Sequence, residues 1–329
     1  MEPHPGTSGQ DPAGARRARR DEWRRRRRRR RLVWASAVVL VAGAGALAFA
    51  LRPGGDSAAA PQAAAGVGAT TAGTAAAVAR PVRRARPAFV PLSFPAAPAR
   101  ASVTVPVVMF HRIASEATVT NAVSQDLTVT PERFAAEMSW LARNGYHPIS
   151  QRTLFRALYE GAPLPAKPLV LTFDDGYVDD AVAVAPILAR RHWPATLAII
   201  TGRAGKAAFL TWPQIVRLDR AGMDIASHSV DHVELAGASA SDLTRQLVDS
   251  RQVLAAHLGH PVYWFVYPAG SYDATAEAAA REAGYLLAYT TDPGFTISSD
   301  RPMAEPRVRV HGSDSLAAFA AAITSSGGG

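Results

Sequence analysis

Not one of the 329 residues is cysteine. That absence excludes a disulfide framework, thiolate metal sites and a cysteine nucleophile, and it leaves His, Asp and Glu to hold any metal ion. Charged side chains are sparse, at 19% against 48% hydrophobic residues, so the chain is not disordered throughout. Most of it also lacks an excess of basic charge. The formal charge of +9 comes from residues 1–101, which hold 18 arginines against 5 acidic side chains, whereas residues 102–329 hold 18 basic against 22 acidic ones. A mildly acidic body argues against a groove that tracks phosphates, so no nucleic-acid partner is expected. No internal repeat is evident.

The first hundred residues read as an address and a tether. Arg24 to Arg31 is an unbroken arginine run, followed by twenty charge-free residues from Leu32 to Leu51. At about 1.5 Å per residue that stretch spans about 30 Å, the thickness of a bilayer core. The positive-inside rule then keeps residues 1–31 in the cytoplasm and exports everything after Arg52. The expectation is a single-pass membrane anchor over 32–51 with an extracytoplasmic body. The alternatives are a cleaved export signal, for which Ala46, Ala48 and Ala50 suit a peptidase or Arg30-Arg31 a twin-arginine route, giving a secreted protein, and a buried soluble helix. Residues 52–101, rich in Ala, Pro, Gly and Thr, are expected to be a flexible spacer or a loose Ala-rich subdomain. The body is expected over 102–323, with a short flexible tail at 324–329.

From Ser102 onward, short apolar runs alternate with amphipathic segments. Strands are expected at Val105–Phe110, Leu169–Phe173, Ala195–Ile200, Met223–Ala226, Val262–Tyr267, Leu287–Thr290 and Val308–Val310. Helices are expected from Thr130, where Thr-Pro-Glu supplies a cap, and over Asp180–His192, Trp212–Ala221, Asp242–Leu258 and Ala274–Ala283. Repeated strand–helix–strand units imply an α/β fold with a parallel sheet, either doubly wound or closed as a barrel; about seven strands fit a barrel. In a barrel the chemistry sits where strands end.

Three strand ends carry polar groups. Asp174 and Asp175 adjoin at the end of Leu169–Phe173, with Gly176 permitting a sharp turn. Two adjacent carboxylates need a cation or hydrogen bonds between them, unless they merely cap the next helix. His228 and His232 follow the Met223–Ala226 strand, and a helical turn there would set both imidazoles on one face, where a divalent ion needs them. His111 ends the first strand, with an ordinary pKa suited to handing a proton to a leaving group or with a purely structural role.

These residues resemble the polysaccharide deacetylases of the NodB-homology type (carbohydrate esterase family 4) over about residues 104–312. Thr172-Phe-Asp174-Asp175-Gly176 is similar to that family's first motif and Ser227-His228-Ser-Val-Asp-His232 to its second. Val105-Pro-Val-Val-Met-Phe-His111-Arg-Ile looks most like the branch of exported poly-N-acetylglucosamine deacetylases, in which the last motif is permuted to the front. The resemblance implies a distorted (β/α) barrel and metal-dependent removal of N-acetyl groups from an acetylated amino-sugar polysaccharide. It also admits O-acetyl ester hydrolysis on a polymer such as xylan, or a glycan-binding protein that has lost catalysis. It implies Asp175, His228 and His232 as ligands of a divalent metal, zinc with cobalt, nickel or manganese as alternatives. Asp174 is then the general base and His111 the general acid, with His311 as the rival acid of the unpermuted arrangement.

The family's third motif departs here. Val266 and Ala269 stand where it has Arg and Tyr, so an arginine that orients the base is expected to be missing, while Ala269 keeps the backbone amide of an oxyanion contact. No fourth-motif Asp and Trp pair is found. Trp212, Trp264, Tyr267 and Tyr272 are candidates for stacking on sugar or for the core. Asp231 either orients a ligand imidazole or is simply exposed.

Overall fold

A computed structural model describes residues 89–325. The expected arginine-rich tail, the apolar segment 32–51, most of the spacer and residues 326–329 lie outside the described residues. Among the described residues no helix is long and apolar enough to cross a membrane.

Seven strands form the framework: β1 (Val107–Phe110), β2 (Pro168–Phe173), β3 (Thr196–Ile199), β4 (Asp224–Ser227), β5 (Trp264–Val266), β6 (Leu287–Pro293) and β7 (Glu305–Arg309). All pair in parallel, in chain order, and β1 bonds to both β2 and β7. That last pairing closes the sheet and decides for a barrel over a doubly wound sheet. Strands buried on both faces read as continuous apolar runs, which is why they are visible in the sequence.

Side chains alternate across each strand, and the parity locates the lumen. Val107, Val170, Ala198, Ala226, Trp264, Val266, Leu287 and Tyr289 form one buried cluster. The opposite positions, including Val108, Phe110, Leu171, Phe173, Leu197, Ile199, Ile225 and Val308, pack with the surrounding helices. Continuing the inner parity beyond the strand ends reaches His111 from Val107, Asp174 from Val170 and His228 from Ala226. The site is thus a continuation of the lumen.

The amino-terminal end of the barrel is closed by a helix, Gln151–Tyr159, absent from the sequence expectations. Ser150 caps it, and its buried Leu154, Phe155 and Leu158 join the lumen cluster. Residues 89–101, expected to belong to the spacer, lie against this floor. The Leu92 amide donates to the Tyr263 hydroxyl at 3.0 Å, Phe94 packs edge-on against Tyr159 at 5.0 Å, and Arg100 donates to the Ala162 carbonyl at 3.1 Å. Ser102–Thr104 then pairs antiparallel with Thr296–Ser298. The packed body therefore begins no later than residue 89, because Phe89, Leu92 and Phe94 supply apolar anchors that the surrounding Ala and Pro lack. Leu92→Ala is expected to lower unfolding free energy by about 2 kcal/mol in chemical denaturation; a residue in a loose spacer would cost nothing.

At the other end of the chain the last helix, Leu316–Thr324, also absent from the sequence expectations, buries Phe319 and Ile323. It packs beside the helix Pro131–Arg143, whose cap is the expected Thr130. Glu137 of that helix is almost fully buried, and burial pushes its carboxyl up to about 8 from an ordinary 4.5. A raised folded-state value means that the proton's contribution to stability is complete below pH 4.5 and is lost as pH rises through 8. Glu137→Gln removes that slope. It is expected to match the parent at pH 4 and to exceed it by about 1–3 kcal/mol at pH 9 in urea melts.

Candidate active site

The polar residues at the barrel mouth are held in uncommon backbone geometry. Among the described residues seven non-glycine positions have positive φ, and four of them, Asp175 (76°), Ser229 (66°), His232 (61°) and Ala269 (52°), lie in the loops that leave β2, β4 and β5. Such conformations cost of order 1–3 kcal/mol each and persist only where the surroundings fix them. Gly176 follows at φ 73°, and a Cβ there would meet Ile199 Cδ1 at 2.9 Å, so the turn that presents both aspartates needs glycine. The His228–His232 segment is not the helical turn imagined from the four-residue spacing. It is a loop in which two left-handed residues and the Ser229 hydroxyl, accepting from the His232 amide at 2.9 Å, bring the rings together.

Asp175, His228 and His232 each offer one ligand atom, and the three atoms lie within 4.8 Å of one another. The Nε2 atoms of His228 and His232 stand 3.6 and 3.4 Å from Asp175 Oδ1. Ligands about 2.1 Å from a tetrahedral ion sit about 3.4 Å apart, so this donor set fits a zinc-like cation. His228 Nδ1 bonds to the Val266 carbonyl at 2.7 Å, which directs the Nε2 lone pair toward Asp175. Burial, and next the neighbouring His232, push the His228 pKa down to about 4, leaving it in the neutral form that metal ligation requires. His232 is the more exposed imidazole, with 27% of its side chain open against 2% for His228.

Asp174 faces elsewhere. Its two carboxylate oxygens accept from both Nη atoms of Arg307 at 2.8 Å each, a bidentate pair buried inside the barrel. Arg307 also donates to the Thr290 carbonyl at 2.8 Å and to the Thr172 hydroxyl at 3.1 Å. Burial alone would raise the Asp174 pKa, but the Arg307 guanidinium holds it well below the usual carboxylate range. This corrects the expectation that an orienting arginine is missing: β7, separated from β2 only by β1, supplies it. His111 Nε2 lies 3.9 Å from Asp174 Oδ2, and burial lowers its pKa against the pull of Asp174 and Asp175. Its Nδ1 is buried with no hydrogen-bond partner among the described residues. Nearby, both Asp180 oxygens are equally unpartnered, and burial followed by the charges of Asp179, Asp175 and Asp174 drives that carboxyl far above its ordinary value.

His311, the rival acid, follows β7 and is engaged by a carboxylate of its own. Its Nδ1 pairs with Asp126 Oδ1 at 2.7 Å, and nearly half of its side chain is exposed. Tyr267 is wholly buried, with its ring edge-on to Phe265, so it cannot stack on a sugar. Trp212 lies flat on His257 at 3.8 Å, which occupies a face that a sugar would need. Trp264 belongs to the lumen core, and Tyr272 donates to Asp292 at 2.7 Å. Ala269 is exposed at the mouth end of β5. Asp231 does not orient an imidazole; it is held by Arg245 and by Gln246 Nε2 at 3.0 Å. Among the described residues, Arg307 and Asp180 lie at the site and outside the sequence expectations for it; Arg307 is the one bonded to Asp174. Its signal is the alternation Arg307-Val308-Arg309-Val310, in which every second residue of a barrel strand points inward.

Comparison with known proteins agrees with this geometry. Residues 161–288 match the family model described as polysaccharide deacetylase. YxkH of Bacillus subtilis (strain 168), itself assigned to the polysaccharide deacetylases, is 30% identical over 221 residues, covering 67% of this chain and 76% of that protein. The poly-β-1,6-N-acetyl-D-glucosamine N-deacetylase of Escherichia coli (strain K12) is 27% identical over 259 residues, and the chain spans only 38% of that relative's length. Among solved structures, the Streptococcus pyogenes deacetylase PplD in complex with acetate matches at a TM-score of 0.61 and 29% identity, covering 67% of this chain and 98% of that one. IcaB from Ammonifex degensii shares the fold at a TM-score of 0.59 and 22% identity. With its barrel, its Asp-His-His cluster and these relatives, the chain belongs to the polysaccharide deacetylase family of hydrolases.

Proposed function

We propose that this protein hydrolyses N-acetyl groups on an N-acetylglucosamine-containing polysaccharide outside the cytoplasm. The observation that carries the reading is a carboxylate kept ionised and unligated, Asp174 on Arg307, beside the three converging donors of Asp175, His228 and His232. The named activity of the Escherichia coli relative supports the choice of polymer. A divalent ion on those donors, with zinc first by donor type, would polarise the acetyl carbonyl and acidify a water.

The chain's own residues do the proton work. Asp174, fixed in orientation by two guanidinium bonds, accepts a proton from the attacking water. His111 rests neutral because it is buried, so it is not a preloaded acid. The proton collected at Asp174 is the one that His111, 3.9 Å away, hands to the departing amine. Arg307, by holding the Asp174 pKa down, favours release of that proton from the carboxylate. The backbone amide of Ala269 is assigned to the oxyanion, and the segment 32–51 to a single-pass anchor. Acetate release by the full chain from poly-N-acetylglucosamine and from acetylxylan, with and without chelator, tests the reading. It predicts chelator-sensitive release from the amide polymer; release from the ester polymer alone would replace it.

A further inference from the structure

Two rim loops beside the donor cluster build a wall that the reaction as described leaves unused. The loop after β2 and the loop after β3 are joined by backbone bonds from the Val178 amide to the Ala208 carbonyl at 2.9 Å and from the Leu210 amide to the Gly176 carbonyl at 3.0 Å. Their side chains stack in four layers. The Arg112 guanidinium lies 5.0 Å over the Tyr177 ring, Tyr177 stacks on Phe209 at 5.1 Å with 18° between planes, and Arg203 lies 5.4 Å over Phe209. The rings are taken up with each other and with guanidinium groups, so the wall offers charge in place of an aromatic platform.

The two arginines differ. Arg112 is neutralised by Asp179, with Nε to Oδ2 at 3.1 Å. The guanidinium of Arg203, a half-buried residue, has no ion-pair or hydrogen-bond partner among the described residues. Asp231 in the adjoining loop is already engaged by Arg245 and Gln246, and Lys206, exposed three residues on, adds a second positive charge. The Arg203 loop is also fixed against the histidine loop. The Thr201 amide donates to Ser229 O at 3.1 Å and the Gly202 amide to Val230 O at 2.9 Å, while a Cβ on Gly202 would meet that carbonyl at 2.6 Å. A guanidinium held over a ring, without a carboxylate of its own among the described residues and on a loop bonded to those that carry Asp175 and His232, is preorganised for a planar oxyanion.

We propose that Arg203 binds a carboxylate carried by the polymer next to the sugar being deacetylated, so that the preferred substrate is an anionic amino-sugar polysaccharide. The inference rests on the deacetylase reading above. Its test uses two N-acetylglucosamine oligomers of equal length, one neutral and one bearing an ether-linked carboxylate on alternate sugars, with the full chain at low and high salt. At low salt kcat/KM is expected to favour the carboxylate-bearing oligomer by about tenfold, through KM, and added salt should erode the difference. Arg203→Gln should bring the ratio to about one, and Arg203→Lys, which keeps charge without the planar fork, should retain part of it. A parent ratio near one on active protein, or a ratio unchanged in Arg203→Gln, overturns the inference while leaving the hydrolase reading intact. Absence of acetate release from either oligomer sinks that reading instead.

Discussion

Arg307→Met is expected to destabilise the protein by about 3–5 kcal/mol, because it leaves the Asp174 carboxylate buried without its bidentate partner. The lumen offers little compensation: the Thr172 hydroxyl already donates to the Val108 carbonyl, and His111 Nε2 stands 3.9 Å from Asp174 Oδ2, beyond hydrogen-bond reach. Asp174 would respond by holding a proton, since burial alone raises its pKa. The variant should therefore lose activity as well as stability. Combining Arg307→Met with Asp174→Asn removes both charges and should recover most of the stability while remaining inactive. Urea denaturation of the single and double variants measures this coupling. Additive losses would mean that the pair is not the structural unit described here.

Asp174→Asn alone should lower kcat by 10²- to 10⁴-fold, the usual worth of a general base. The substitution also strips a charge from the Arg307 pair, so part of the loss of folded protein must be separated from the loss of turnover by measuring both. Because Asp174 points at Arg307 and not into the donor cluster, metal binding should survive. Acetate release per folded, metal-loaded molecule is the quantity to compare. A variant with parental turnover would remove Asp174 from the proposed reaction.

The site was legible to unequal degrees, for physical reasons. Asp174, Asp175 and His228 follow closely on apolar runs and inner parity reaches Asp174 and His228, while His232 is tied to His228 only by its four-residue spacing. Arg307 is hard to read because an arginine inside a strand looks like a boundary; the apolar run starts at Val308, whereas β7 begins at Glu305. A fully buried guanidinium is stable there only because Asp174, Thr172 and the Thr290 carbonyl converge on it from two other strands. Those contacts separate residues by up to 135 positions, and no local pattern encodes them. The floor helix and the strap at 89–101 were hidden for a related reason. Their few apolar anchors, such as Leu92 and Phe94, are diluted by Ala and Pro, and only the open end of the barrel gives them something to cover. The left-handed residues of the histidine loop bring the His228 and His232 rings together without the helical turn that their four-residue spacing suggests.

The most direct measurement is the zinc content of the purified full chain after dialysis, set beside Asp174→Asn and the double variant His228→Ala/His232→Ala. One zinc per chain is predicted for the parent and for Asp174→Asn, and none for the double histidine variant. Equal zinc in all three, with the histidine variant folded, would contradict the assignment of Asp175, His228 and His232 as the metal centre.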